Sequence, residues 1–222
     1  MDDDLQHVTD RLWLWLVAGS VLFAVTITTS FVVIDRLGMV PQSFAYVVLL
    51  SMLAIASMFD LKERIVPTAI VVALLVLWAV TVWFIPPSTV PGAIGAAFVP
   101  IVGNDLTAVV LDGIMGGFVT GGGMLALTIA VEMWTGSASF GGGDIKLLFV
   151  VGLYLGLPAS LTMLLVACLI AVVFSLVMGL MRRAIASGST ADRPLLKMTI
   201  PFAPAIALST AIFLAYGPFT VF

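Results

Sequence analysis

The sequence predicts an all-α protein, a polytopic transmembrane bundle of about six to seven spanning helices. Three observations predict it. The 222 residues are 62% hydrophobic and only 9% charged, where an ordinary soluble domain carries roughly 25% charged residues. Mean hydropathy is +1.24. The apolar residues gather into runs near the length of about 20 that crosses a bilayer core, with most of the charge in the segments between them.

Seven spans are expected, at 12–34, 44–60, 66–86, 107–131, 144–157, 158–181 and 199–219. The first follows Met1-Asp2-Asp3-Asp4, acidic where a secretory signal is basic, and ends near Ile34 without an Ala-x-Ala-like cleavage site, so it reads as a retained span. The second ends at Asp60, and the chain turns back near Pro67 into the third. The loop 87–106 follows Pro86 and contains Pro87, Pro91 and Pro100 but no lysine or arginine. In the fourth span Gly113, Gly117 and Gly121 recur every four residues, a face of small residues that lets helices approach closely. The fifth is short for a full crossing, so it should begin in the headgroup region or be shielded by protein. Gly152 and Gly156 give it a similar contact face, and Pro158 should break it from the sixth. Segment 182–198, with Ser187-Gly188-Ser189-Thr190, reads as a polar connector, substrate contact being the sharper alternative. No internal repeat is apparent, and residues 1–222 read as one membrane-embedded domain.

Lysine and arginine placement sets the orientation. With a cytoplasmic N-terminus, Arg11, Lys62, Arg64, Lys146, Arg182, Arg183, Arg193 and Lys197 share that side, and of the 9 positive residues only Arg36 falls outside. Asp60 and Asp144 then lie at the same cytoplasmic edge. The net charge of −3, with no basic run, gives no reason to expect a nucleic-acid partner. The single cysteine, Cys168, excludes an internal disulfide and a Cys-x-x-Cys zinc module, and reads as a packing residue. Trp13, Trp15, Trp78, Trp83 and Trp134 read as interfacial anchors. His7 reads as a lone exposed histidine. Gly121-Gly122-Gly123 is not a phosphate loop, because no Gly-Lys-Ser/Thr follows.

The chemistry concentrates in two short motifs. Phe59-Asp60-Leu61-Lys62-Glu63-Arg64-Ile65-Val66-Pro67 closes one span, and Gly141-Gly142-Gly143-Asp144-Ile145-Lys146 opens another. Ionisable groups near membrane depth are functional suspects. Two carboxylates brought together can share one proton and activate a water, the chemistry of an aspartic protease. Singly, each has an ordinary reading. Asp144 could be an N-cap and the glycines a hinge, and Asp60 could be a helix-end acid paired with Lys62 or Arg64. Glu132 is the competing acid on the same side, while Asp112 falls at the opposite face. Lys146 could help hold Asp144 ionised.

Asp-x-x-x-x-x-x-Pro after one span and Gly-x-Gly-Asp-x-Lys-Leu before another resemble the two signatures of the type IV prepilin and preflagellin peptidase family. The likeness continues through Leu147 and Leu148 to Gly152 and Gly156, and again at Pro201-Phe202-Ala203-Pro204, which is similar to the family's Pro-Phe-Gly-Pro segment. It covers roughly 44–215, leaving 1–43 as an extra N-terminal span. The resemblance implies an endopeptidase with Asp60 and Asp144 as its catalytic pair and no metal or other cofactor. Gly141, Gly142, Gly143, Lys146, Pro67, Pro201 and Pro204 would bind substrate or shape the site. It further implies a multi-pass protein of the cell membrane that removes the cytoplasmic leader of prepilin, pseudopilin or archaellin precursors ahead of their hydrophobic helix. Its partners would be that substrate and the lipid bilayer. The sequence departs from the family in three places. It lacks the paired cysteines of members that also methylate the new N-terminus, it reads Ile65-Val66-Pro67 where many have Ile-Pro, and it has Ala203 where Gly is usual. Two other readings stay open: an ion or solute transporter using the two acids, and a presenilin-like protease.

Overall fold

The computed structural model describes residues 2–39, 41–84, 105–136, 141–185 and 202–216, and every regular element within them is helical. In chain order they are α1 (Asp2–Leu37), α2 (Pro41–Glu63), α3 (Thr68–Thr81), α4 (Asp105–Gly117), α5 (Gly123–Thr135), α6 (Gly142–Leu155), α7 (Leu157–Ile185) and α8 (Ala203–Tyr216). A 3₁₀ turn, Val82–Phe84, extends α3, and a π turn, Phe118–Gly122, joins α4 to α5 in one rod. The expected all-α membrane bundle is therefore present. Four segments are long and apolar enough to cross a membrane: Gly19–Leu37, Pro41–Glu63, Val109–Trp134 and Leu157–Val177. Thr68–Phe84 and Ala203–Tyr216 are shorter apolar helices. The proline-rich loop up to 104, the connector 186–201 and the side chains of Trp13 and Trp15 lie outside the described residues.

At the centre is α6, packed against α3, α4, the π turn, α7 and α8. Its buried residues fall on every side of the helix: Asp144, Leu147, Leu148, Val150, Val151, Gly152, Leu153, Tyr154 and Leu155. A helix apolar all round belongs inside the protein. At 14 residues it is about 21 Å long, short of the roughly 30 Å hydrocarbon core, so its ends rest on protein. The fit to the α4–α5 rod depends on missing side chains. A Cβ on Gly113 would lie 2.7 Å from the Leu153 carbonyl oxygen, one on Gly117 2.9 Å from that of Phe149, and one on Gly121 2.6 Å from the Phe149 Cβ. Thr120 Oγ1, within the π turn, donates to the Gly116 carbonyl at 2.6 Å and lies 3.2 Å from the Leu148 carbonyl of α6. Phe118 stacks edge-on against Phe149 with ring centroids 5.4 Å apart.

Three expectations need correction. Pro158 does not make the break between α6 and α7. Gly156 makes it, at φ 75 and ψ 176, a conformation that is essentially glycine's alone. Pro158 sits in the first turn of α7, where a missing N–H leaves nothing unsatisfied. Trp78 is not an interfacial anchor either. It lies within α3, packed on the core, with its ring 2.9 Å from the place a Gly113 Cβ would take. Trp83 and Trp134 are exposed at helix ends. Cys168 is exposed on α7 rather than packed inside.

Asp112 seals the α6–α7 corner. It is only 1% exposed, its Oδ1 accepts the Leu157 N–H at 3.3 Å, and its Oδ2 fills the space where a Gly156 side chain would stand. A carboxylate capping α7 from another helix satisfies one of that helix's orphan N–H groups. Gly156→Ala should therefore destabilise the bundle by about 1–3 kcal/mol through backbone strain alone, with the clash against Asp112 adding to it. Thermal unfolding of the detergent-solubilised protein checks this.

Candidate active site

The site is assembled where α2 ends and α6 and α8 begin. Asp60 lies in the last turn of α2 and is 5% exposed; Asp144 lies in the first turn of α6 and is 9% exposed. The two motifs of the sequence therefore meet, and the charge of Asp60 acts directly on Asp144.

The end of α2 is set by Arg64, which adopts φ 54 while its N–H closes on the Asp60 carbonyl at 2.9 Å. A left-handed residue at this position is a normal helix stop, but the other positive-φ residues described are glycines: Gly38, Gly136 and Gly156. A bulky side chain held there marks a strained position of the kind that clusters at functional sites. The turn throws Val66 inward, 8% exposed, and Pro67 then starts α3 from an extended conformation, φ −61 and ψ 122.

Val66 is the contact that joins the motifs. A Cβ on Gly143 would lie 2.9 Å from the Val66 Cβ and 3.4 Å from its backbone nitrogen. The glycine thus lets the first turn of α6 settle onto the turn that follows Asp60. Gly141 is extended, with φ −72 and ψ 128, and a side chain there would meet Asp144 Oδ2 at 3.2 Å. Around Gly142 a Cβ would find nothing within 4 Å. Of the three glycines, only the outer two are pressed against a neighbour.

Asp60 has a partner that sequence reasoning missed. Its Oδ2 accepts the backbone N–H of Ala203 at 3.1 Å, and the Phe202 N–H also bonds to it. These are the first N–H groups of α8, which have no partner within the helix. Pro204, next in line, brings no N–H of its own. The sequence signal was the Pro201-Phe202-Ala203-Pro204 likeness, which marked the segment without saying what it touches. Ala203 is 1% exposed. Pro201 lies outside the described residues.

Among other expected participants, the Arg64 guanidinium acts electrostatically on Asp60. Lys62 pairs with Glu63 at 3.7 Å on the surface. Lys146 is exposed on α6. Glu132, half-buried near the end of α5, is not among the groups acting on either aspartate. Asp112 lies at the opposite end of α6 from Asp144, beside Gly156.

This arrangement gathers two buried acids at one end of the bundle. The model of the type IV leader peptidase family matches residues 47–176, more than half of the chain and including both aspartates. The chain belongs to that family. Comparison with curated proteins and with solved structures finds no match. The leader peptidase match stops short of the α8 segment that contacts Asp60.

The glycine contacts distinguish three substitutions in this leader peptidase. Gly142→Ala should leave peptidase activity within about twofold, because the new methyl group meets open space. Gly143→Ala should lower kcat/KM by roughly 10- to 100-fold, since a shift of about 1 Å at the reacting groups is worth up to that much. Gly143→Val should be worse. Peptide cleavage by purified variants with matched melting profiles checks the order.

Proposed function

We propose that the protein is a membrane aspartic endopeptidase that removes the N-terminal leader of prepilin-like, pseudopilin or archaellin precursors, with Asp60 and Asp144 as the catalytic pair. One observation carries this reading: two acids 84 positions apart in a chain poor in charge are buried at one end of the bundle, where one charge acts on the other. Two neighbouring buried carboxyls do not both ionise readily, so on this reading the pair holds one proton. One member then accepts a proton from water while the other polarises the scissile carbonyl, a division of labour that needs the two proton affinities held apart.

The leader, not the membrane helix, is the expected target because both acids stand at helix ends. Asp60 is in the last turn of α2 and Asp144 in the first turn of α6. A bond reached there lies at the membrane edge, just before a substrate's apolar helix enters the lipid. Lys62, Arg64 and Lys146 at this end are the residues the positive-inside rule places in the cytoplasm, which supports a cytoplasmic site in the cell membrane.

Asp60→Asn and Asp144→Asn should each abolish cleavage of a peptide carrying a basic leader, a glycine at the cut and an apolar helix, by at least about a thousandfold. Both variants should still insert in the membrane. A clean Asp144→Asn preparation that keeps wild-type activity would falsify the dyad.

A further inference from the structure

The two carboxyls differ sharply in their surroundings. Asp60 Oδ2 receives the Ala203 N–H at 3.1 Å and the Phe202 N–H, and so stands on the positive end of α8. The exposed Arg64, one turn further along the chain, adds an electrostatic attraction weaker than the Ala203 bond. Asp144 has no comparable support: its Oδ1 is buried without a hydrogen-bond partner, and the charge that acts on it is that of Asp60.

Each acid also has an opposing influence. Asp60 terminates α2, whose C-terminal dipole disfavours an anion, and Asp144 occupies the first turn of α6, whose dipole favours one. These are partial charges. Two direct N–H bonds, a second helix N-terminus and a guanidinium outweigh them on Asp60, because bonds donated to a charged acceptor are the strong ones. The other ionisable groups nearby do not reverse the order. Lys62, Glu63, Lys146 and Glu132 are not among the groups acting on either acid. α3 carries no charged residue, and neither does α8.

Resting on the peptidase reading, we propose that Asp60 is the general base, held as the anion by the N-terminus of α8 and by Arg64 as a positioning residue, and that Asp144 carries the proton as general acid. The cycle then closes without any other reactant. Asp60 takes a proton from water as the water oxygen bonds to the scissile carbonyl carbon. Asp144 gives its proton to the carbonyl oxygen, forming a geminal diol. Asp60 next protonates the leaving nitrogen while Asp144 takes a proton from one diol hydroxyl, and the C–N bond breaks. The pair returns to its starting state, Asp60 charged and Asp144 neutral. The bare Asp144 Oδ1 gains its first partner when a substrate carbonyl or water arrives.

Neutralising Arg64 tests the assignment. In Arg64→Gln the anion loses support, so a base at Asp60 needs higher pH to be ionised. The acidic limb of kcat/KM against pH should move up by roughly half a unit to one unit, with the alkaline limb in place, and Arg64→Lys should restore it. If Asp60 were the acid, the alkaline limb would move instead. That result, or two unmoved limbs, overturns the proposal. An activity-independent measurement stands beside it. Infrared titration of the carboxyl C=O stretch should show Asp60, in Asp144→Asn, losing its proton at lower pH than Asp144 does in Asp60→Asn. The reverse order refutes the assignment even in a protein that cleaves efficiently. If wild-type protein cleaves no leader peptide, the peptidase reading fails while the infrared order still reports which acid holds the charge.

Discussion

The bond from the Ala203 N–H to Asp60 Oδ2 is the constraint on which the site depends. It joins residues 143 positions apart and settles two problems at once. A buried carboxyl needs donors, and the first turn of a helix in apolar surroundings needs acceptors. Asp60 and α8 supply each other. The end of α2 and the start of α8 are therefore held at one point, and the turn Arg64–Pro67 has its direction fixed before it meets α6.

From that point the architecture is mostly a matter of close approach. α6 is packed against other helices, and its contact with the α4–α5 rod is made largely by glycines and by Thr120, with the Phe118–Phe149 ring pair beside them. In a bilayer, helices gain little from hiding apolar surface, since lipid is as apolar as leucine. Small residues that admit backbone contact are the alternative. The same device recurs at the site, where Gly143 lets α6 touch Val66. One packing rule thus serves both the core and the meeting of the two acidic motifs.

Much of this was legible in the chain. The helical membrane class followed from composition, and the acidic motifs stood out because charge is scarce. The glycine spacing in the fourth span announced a close helix contact, although not that its partner would be α6. What the sequence concealed was contact between distant segments. Nothing local says that Phe202 and Ala203 turn their N–H groups toward Asp60, or that Val66 rests on Gly143. The break at Gly156 was misplaced by two residues because proline is the louder signal, whereas the chain needed a left-handed backbone and room for the Asp112 carboxyl. Trp78 was misjudged for a similar reason: tryptophan favours interfaces, but here its ring packs against Gly113.

The shortness of α6 sets the depth of the site by protein and not by lipid. From the Gly156 corner to Asp144 is about 18 Å along α6, while the 29 residues of α7 reach about 43 Å. When bilayer thickness changes, a long helix accommodates the mismatch by tilting. α6 has no lipid boundary to follow, being fixed at one end by Asp112 and at the other by Val66. The length from that corner to Asp144 is set by contacts within the protein.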